Sequence, residues 1–429
     1  MIFLMLRRIL FFLFFTPLFF SQLFAQNYCE MNRFDEFIFD SVQIEYIDNI
    51  LYGEAIDQLG DTQKLKLDIY KPFPIYDTLE KKPLIMFVHG GGLVGGDKES
   101  EGAADLGYLY GQLGFVFASI DYRIGWNNGD EITGCGGDTV DLNRATYRAV
   151  QDTRAAYRYL KANAALYGID TNFIFVEGNS AGSTVLLYCL YAEQEDFDQQ
   201  FYDELGSIDT AVNELTNYGF EPDAFIGEAS GFPNLNLFID EYFPSMYFHG
   251  TCDSIVPYFD GPLFFCEEPF INPIYYGSWE QTELMKELNR EYHFYTGEGA
   301  SHDVVIPDSL VIYSQDFLKE ILCDDLSTKE IYRVLGKKKC AVENNGELFI
   351  VQIFPNPVND IIHLTVTGSR DKDIDLSIFN SMGQIVLLEL IDFYPPIRSY
   401  EIDISILPRG VYYMKVSQRQ EEYVAKFIK

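Results

Sequence analysis

Short, continuous apolar runs punctuate the first three-quarters of this 429-residue chain. Pro83 to Val88, Phe115 to Ile120, Asn172 to Glu177 and Ser245 to His249 are each five or six residues long, with little alternation of polar and apolar positions. Runs of that kind predict strands buried on both faces. Stretches with helical spacing lie between them. Thr146 to Ala165 carries Arg, Gln and Asp on what reads as its wet side, and Ser183 to Tyr191 is apolar and long enough for a buried helix. Strands alternating with helices predict an α/β fold, a mostly parallel sheet flanked by helices. Leu65 to Tyr70 alternates and reads as an edge hairpin strand. Two segments fit neither pattern. Ile124 to Asp141 is Gly-rich, and Gln194 to Gly219 is acidic. Both are candidates for the walls of a substrate pocket, and the acidic one reads equally well as a surface insertion.

The pattern changes near Asp325. Leu326 to Gly346 is polar, with Lys337, Lys338 and Lys339 at its middle. From Glu347 onward, short apolar strands alternate with turn signals such as Pro355 to Pro357 and Asn380 to Gly383. Roughly seven or eight strands in about 80 residues predict a small all-β sandwich. The expected organisation is therefore residues 1–25 as a signal peptide, 26–325 as the α/β domain, 326–346 as a linker and 347–429 as the β-sandwich. The signal peptide rests on Arg7 and Arg8, an apolar run from Ile9 to Phe20 and a small residue at Ala25. The run is shorter than the ~20 residues a bilayer span needs. No later stretch is apolar enough to span, so the mature chain is expected to be exported, with no transmembrane span.

Charge narrows the partners. The formal net charge is −34, and such a surface repels nucleic acid and anionic lipid. Seven Cys are compatible with disulfides in an exported protein, and an odd number leaves one thiol over. Cys189, in the predicted buried helix, is the candidate free thiol, and Cys252 with Cys266 closes the shortest plausible loop. The chain has no C-x-x-C, and its Cys and His do not cluster, so neither a structural zinc nor any cofactor is expected.

The chemistry is carried by two motifs. Gly178-Asn-Ser180-Ala-Gly182 lies between a predicted strand and a predicted helix, the context that exposes a nucleophile on a sharp turn. His89-Gly90-Gly91-Gly92 follows an apolar strand and suits a loop of backbone donors for an oxyanion. A serine hydroxyl needs a base, and the base needs a carboxylate to hold its tautomer. In this arrangement the chain order is Ser, acid, His. Of five His, His89 lies upstream, His363 lies in the second domain, and His249 and His293 sit within strand-like runs. His302, on a small-residue loop after a strand, is left as the base. Asp253 follows the strand ending at His249 and is the favoured acid, with Asp260 and Asp303 as rivals. The oxyanion donors are assigned to the amides of Ala181 and of Gly90, Gly91 and Gly92, with Gly91 favoured. His89 is expected to brace its loop rather than transfer protons.

These residues resemble a known family. Leu67 to Pro72, His89 to Gly92, Gly96 to Lys98, Asp121 to Arg123, Tyr167 to Asp170, Gly178 to Gly182, His249 to Asp253 with Val256 and Pro257, and His302 are similar to the α/β-hydrolase carboxylesterases of the hormone-sensitive-lipase-like and feruloyl-esterase-like groups. Asn179 and Ser183 depart from the residues common there. The resemblance implies a serine esterase acting on acyl or aroyl esters, small or polysaccharide-linked. The prolyl-oligopeptidase type and an inert hydrolase-like binding module are the alternative readings. Phe354 to Val358, Ile378 to Gln384, Leu407 to Val416 and Lys426 to Lys429 resemble the sorting domain of the type IX secretion system of Bacteroidetes. That resemblance implies passage through the periplasm, the secretion machinery as a partner, and release or attachment at the cell surface.

Overall fold

The computed structural model describes residues 28–29, 33–100, 102–129, 135–239, 241–265, 274–304, 307–335, 349–354, 358, 360–367, 374–380, 382–391, 399–418 and 421–429. The expected signal peptide lies outside the described residues. The chain divides into two compact units, residues 1–339 and 340–429.

The first unit is built on a nine-stranded sheet. Its strands are β1 (Ile44–Ile56), β2 (Thr62–Pro72), β3 (Lys82–Val88), β4 (Val116–Ile120), β5 (Ile169–Asn179), β6 (Ala224–Glu228), β7 (Ser245–Gly250), β8 (Tyr292–Glu298) and β9 (Lys329–Val334). The order across the sheet is β1-β2-β4-β3-β5-β6-β7-β8-β9. The β1–β2 and β2–β4 pairs are antiparallel and the rest of the sheet is parallel. The helices that position the site are α1 (Ala103–Leu113), α2 (Thr139–Ala162), α3 (Ala181–Tyr191), α4 (Gln199–Leu205), α5 (Ser278–Glu287) and α6 (Pro307–Leu322). This is the mostly parallel sheet flanked by helices that the strand and helix pattern predicts, with the α/β-hydrolase strand order that the resemblance implies.

The continuous apolar runs have the meaning expected of them. Along β3, Leu84, Met86 and Val88 belong to one core and Ile85 and Phe87 to the other. The first core packs under α2 and α3, the second under α1 and α6. Because both faces are covered, no polar alternation is needed.

Three expectations are corrected. Leu65 to Tyr70 is not at an edge: β2 lies between β1 and β4, and β1 forms the border. Ile44 to Ile56 is too polar on one face to stand out as a buried run. The expected linker contributes β9, which pairs in parallel with β8. The wet side expected for α2 is buried: Arg148, Gln151, Asp152, Arg154 and Arg158 are all inside. They are accommodated by partners that the helical spacing alone does not reveal. Arg123 Nη2 lies 2.8 Å from Asp152 Oδ1, and the Arg123 amide donates to Asp152 Oδ2 at 2.7 Å. Arg154 donates to the carbonyls of Cys189 and Ala192. Buried charge is tolerable when paired and hydrogen-bonded.

Cys29 and Cys323 form a disulfide that spans 294 residues, joining the N-terminal segment to the end of α6. Cys189 is free and buried, as its helix predicts. Cys135 and Cys252 are disulfide-bonded, whereas Cys266 and Cys340 lie outside the described residues. Among the described residues no helix is long and apolar enough to cross a membrane.

The second unit is all β. Strands β10 (Phe349–Phe354), β11 (Ile361–Thr367) and β14 (Ser399–Asp403) form one antiparallel sheet. Strands β12 (Ile374–Asn380), β13 (Ile385–Ile391), β15 (Val411–Gln418) and β16 (Glu421–Ile428) form the other. Ile362 and Ile402 from the first sheet share a core with Leu376, Ile378, Met414 and Val416 from the second.

Candidate active site

The site is assembled at the C-terminal ends of β3, β5, β7 and β8, where ligands bind in open α/β sheets. At the end of β5 the chain turns abruptly into α3 through Ser180. Its backbone sits at φ 51° and ψ −116°, outside the comfortable regions for a residue with a Cβ. The Ser180 amide donates to the carbonyl of Glu228 on β6 at 2.8 Å, which anchors the turn to the next strand. Two glycines make the turn possible. A Cβ on Gly178 would lie 2.7 Å from the Gly182 carbonyl carbon, and a Cβ on Gly182 would lie 2.0 Å from the Val88 carbonyl oxygen. The second approach draws the start of α3 against the end of β3, beside the Gly-rich loop. Ser183, where the resembling family often has Gly, is buried, and its hydroxyl lies within donating distance of the carbonyls of Gly178 and Glu228.

The structure brings Ser180, His302 and Asp253 into one line. Ser180 Oγ is 2.8 Å from His302 Nε2, and His302 Nδ1 is 2.7 Å from Asp253 Oδ2. His302 follows β8 and Asp253 follows β7, and these strands are parallel neighbours with Gly250 opposite Gly297. Register therefore carries the two loops to the same place. Asp253 is buried, and its Oδ1 accepts the amides of Ile255 at 2.8 Å and Val256 at 3.0 Å. Burial alone would raise its pKa, but hydrogen bonds from His249 and His302 outweigh it and hold the carboxyl well below the usual range. The rivals stand elsewhere. Asp260 begins a short strand paired with Tyr276, and Asp303 is exposed.

The Gly-rich loop is tied down by its carbonyls. Tyr122 Oη donates to the carbonyls of His89 at 2.9 Å and Gly90 at 3.0 Å. The carbonyl of Gly91 accepts the amides of Val94 and Gly95, each at 3.1 Å. The carbonyl of Leu93 accepts those of Gly125 at 2.7 Å and Trp126 at 3.0 Å. Gly91 and Gly92 have φ of 92° and 62°, and a Cβ on Gly91 would collide with the Gly95 carbonyl. His89 is fully buried, its ring stacked on Tyr122 with centroids 4.2 Å apart and its Nδ1 2.8 Å from the Gly90 carbonyl. A carbonyl only accepts, so Nδ1 carries the proton. Burial pushes the His89 pKa down to about 4, which keeps the ring neutral at ordinary pH.

Tyr122 lies within the Asp121 to Arg123 motif, but its supporting role was not read from the sequence. The signal was its position directly after β4, the neighbour of β3. Asp121 beside it accepts the Lys98 amide at 3.0 Å, holding the far end of the same loop. Of the two candidate walls, Ile124 to Asn127 runs along the Gly-rich loop through its bonds to Leu93. There the Trp126 ring stacks on Phe264 with centroids 6.3 Å apart. The acidic segment differs. Residues 194–209 pack on α2 and the C-terminal end of α3, through Tyr147 to Gly206 and Phe197 to Tyr188. That end is about 15 Å along the helix from Ser180.

Comparison with known proteins finds partial likenesses along the chain. Residues 140–219 match the family described as BD-FAE, and residues 352–429 match the secretion system C-terminal sorting domain. Carboxylesterase 3B of Mus musculus is 33% identical over 122 residues, 28% of this chain and 19% of that protein. Esterase LipC of Mycobacterium tuberculosis is 33% identical over 133 residues, 31% of this chain and 27% of that protein. The chain thus matches less than a third of the length of these relatives. Among solved structures, a truncated carbohydrate esterase from gut microbiota covers 67% of this chain and 98% of its own, with 17% identity and a TM-score of 0.44. A thermophilic esterase from Thermogutta terrifontis with butyrate bound covers 66% and 95%, with 20% identity and a TM-score of 0.44. The chain thus carries a segment similar to the BD-FAE family, a partial likeness to carboxylesterases, and a C-terminal segment similar to secretion-system sorting domains.

Proposed function

We propose that this protein is an exported serine carboxylesterase that hydrolyses acyl or aroyl esters through an acyl-enzyme. The observation that carries the reading is the unbroken relay from Ser180 Oγ to His302 at 2.8 Å and from His302 to Asp253 at 2.7 Å. Ser180 attacks the ester carbonyl while His302 Nε2 takes its proton. His302 then gives the proton to the leaving alcohol, and the same base activates water for deacylation. Asp253 keeps the His302 proton on Nδ1 and stabilises the imidazolium that forms.

The developing oxyanion needs donors fixed in advance. In a trans peptide the carbonyl of one residue and the amide of the next point in opposite directions. The carbonyls of His89, Gly90 and Gly91 are engaged by the scaffold. The amides of Gly90, Gly91 and Gly92 are thereby turned the other way. Together with Ala181 at the first turn of α3, where amides are unpaired within the helix, they are the proposed oxyanion donors. Trp126 and Phe264 support an apolar or aromatic group on the substrate. The sorting domain supports export to the cell surface or the medium.

The test is turnover of p-nitrophenyl acetate and labelling by a fluorophosphonate. Both are expected for the wild-type protein. Ser180→Ala is expected to abolish labelling and to lower kcat by about 10⁴-fold or more. Turnover that survives the substitution would sink the proposal. A panel of acetyl, long-chain acyl, feruloyl and acetyl-xylan esters then ranks the acyl groups.

A further inference from the structure

Asp253 holds two imidazoles. Its Oδ2 is 2.7 Å from His302 Nδ1 and also 3.1 Å from His249 Nε2. His249 lies near the end of β7 and is fully buried. Its Nδ1 faces the start of α5, 2.8 Å from Ser278 Oγ and 3.4 Å from the Ser278 amide. A backbone amide only donates, so Nδ1 carries no proton and the ring's hydrogen is on Nε2. That hydrogen points at Asp253 Oδ2, with the Val256 carbonyl 3.3 Å away as its other acceptor. The Tyr258 ring meets the imidazole edge-on, with centroids 5.4 Å apart, and keeps it from turning.

The carboxylate is therefore filled on both oxygens. Oδ1 accepts two backbone amides, and Oδ2 accepts one hydrogen bond from each histidine. We infer that His249 is a positioning residue for the hydrolytic reaction. It acts through Asp253, fixing the plane of the carboxylate so that Oδ2 meets His302 Nδ1 head-on. Ser278 sets the tautomer that makes this possible. The inference rests on the reading of Ser180, His302 and Asp253 as a triad. Sequence reasoning set His249 aside because it falls within a strand. The strand's end is what delivers it beneath the acid.

Three substitutions test the role, with kcat and KM on p-nitrophenyl acetate, fluorophosphonate labelling rate and melting temperature as readouts. His249→Phe fills the space without a donor. His249→Asn places its amide near the position of Nδ1, too short to reach Asp253, and serves if the Phe variant does not fold. His249→Gln carries a donor to about the position of Nε2. The donor-less variants are expected to lose about 10- to 100-fold in kcat and labelling rate, with KM within about threefold of wild type. His249→Gln is expected to recover to within about fivefold. Folded donor-less variants within about twofold of wild type would overturn the inference. So would a Gln variant as impaired as they are, because a merely structural role would respond to packing and not to the restored donor. If the wild type neither labels nor turns over ester, the triad reading itself fails and the inference falls with it.

Discussion

Glu177 shows how far one residue can stand from expectation. It lies on β5 three positions before Ser180, within an apolar run, and is fully buried. Tyr110 Oη donates to its Oε2 at 2.6 Å, while Oε1 has no partner among the described residues. Burial pushes its pKa up to about 8. The folded chain keeps this proton to about pH 8, whereas the unfolded chain releases it near the ordinary carboxyl value of 4.5. Between those limits the unfolded state binds fewer protons, so stability falls as pH rises. His89 works in the opposite sense: its stability contribution is lost as pH falls from 6.5 towards 4. Glu177→Gln keeps an acceptor for Tyr110 and does not titrate. Calorimetric scans should show a smaller loss of Tm from pH 5.5 to 8.5 in the variant than in wild type. An equal loss in both would remove Glu177 as its source.

Among the elements, the contact between β3 and α3 does the most to bring Ser180 to the Gly-rich loop. Gly182 permits it, because any Cβ there meets the carbonyls of Val88 at 2.0 Å and His89 at 2.5 Å. Neither atom can move without displacing the loop. Gly182→Ala should therefore lower both Tm and kcat/KM, by several kcal/mol in stability if β3 does not yield. Thermal melts and ester kinetics on the same preparation check this, and a variant with native values would show that the contact is soft. The elements themselves were legible where both faces are buried, as in β3 and β5, because apolar continuity is a local property. They were not legible where tertiary pairing decides. β1 and β9 are half-exposed and lack a continuous apolar signal. The polar face of α2 looks solvent-facing until Arg123 from the β4 end arrives to pair with Asp152. Of the site, Ser180, His302 and Asp253 could be read from motif order and elimination. Tyr122 and Ser278 could not be assigned roles, since each acts through a partner distant in sequence, and Ser183 ties the turn to Glu228 as well as to Gly178 nearby.

At the scale of the whole molecule, the two units carry separate proposed instructions, ester hydrolysis in the first and export in the second. A disulfide closing 294 residues makes the first unit a nearly closed loop of chain. Such a bond suits the oxidising compartments that an exported protein meets. The backbone at Ser180 has a consequence for the molecule as a whole. With φ at 51° it occupies a conformation that glycine adopts freely and other residues do not. At most positions Ala is the more stabilising of the two, because glycine gives the unfolded chain more freedom. At position 180 the order should invert: Ser180→Gly is expected to melt above Ser180→Ala, by about 1 kcal/mol in unfolding free energy. Equal melting, or a lower value for Gly, would mean the turn is relaxed. If the inversion holds, a population of variants selected only for endurance would drift towards glycine at this position and fall silent as it did so. On the proposed role of Ser180, only continued demand for the reaction keeps a serine there.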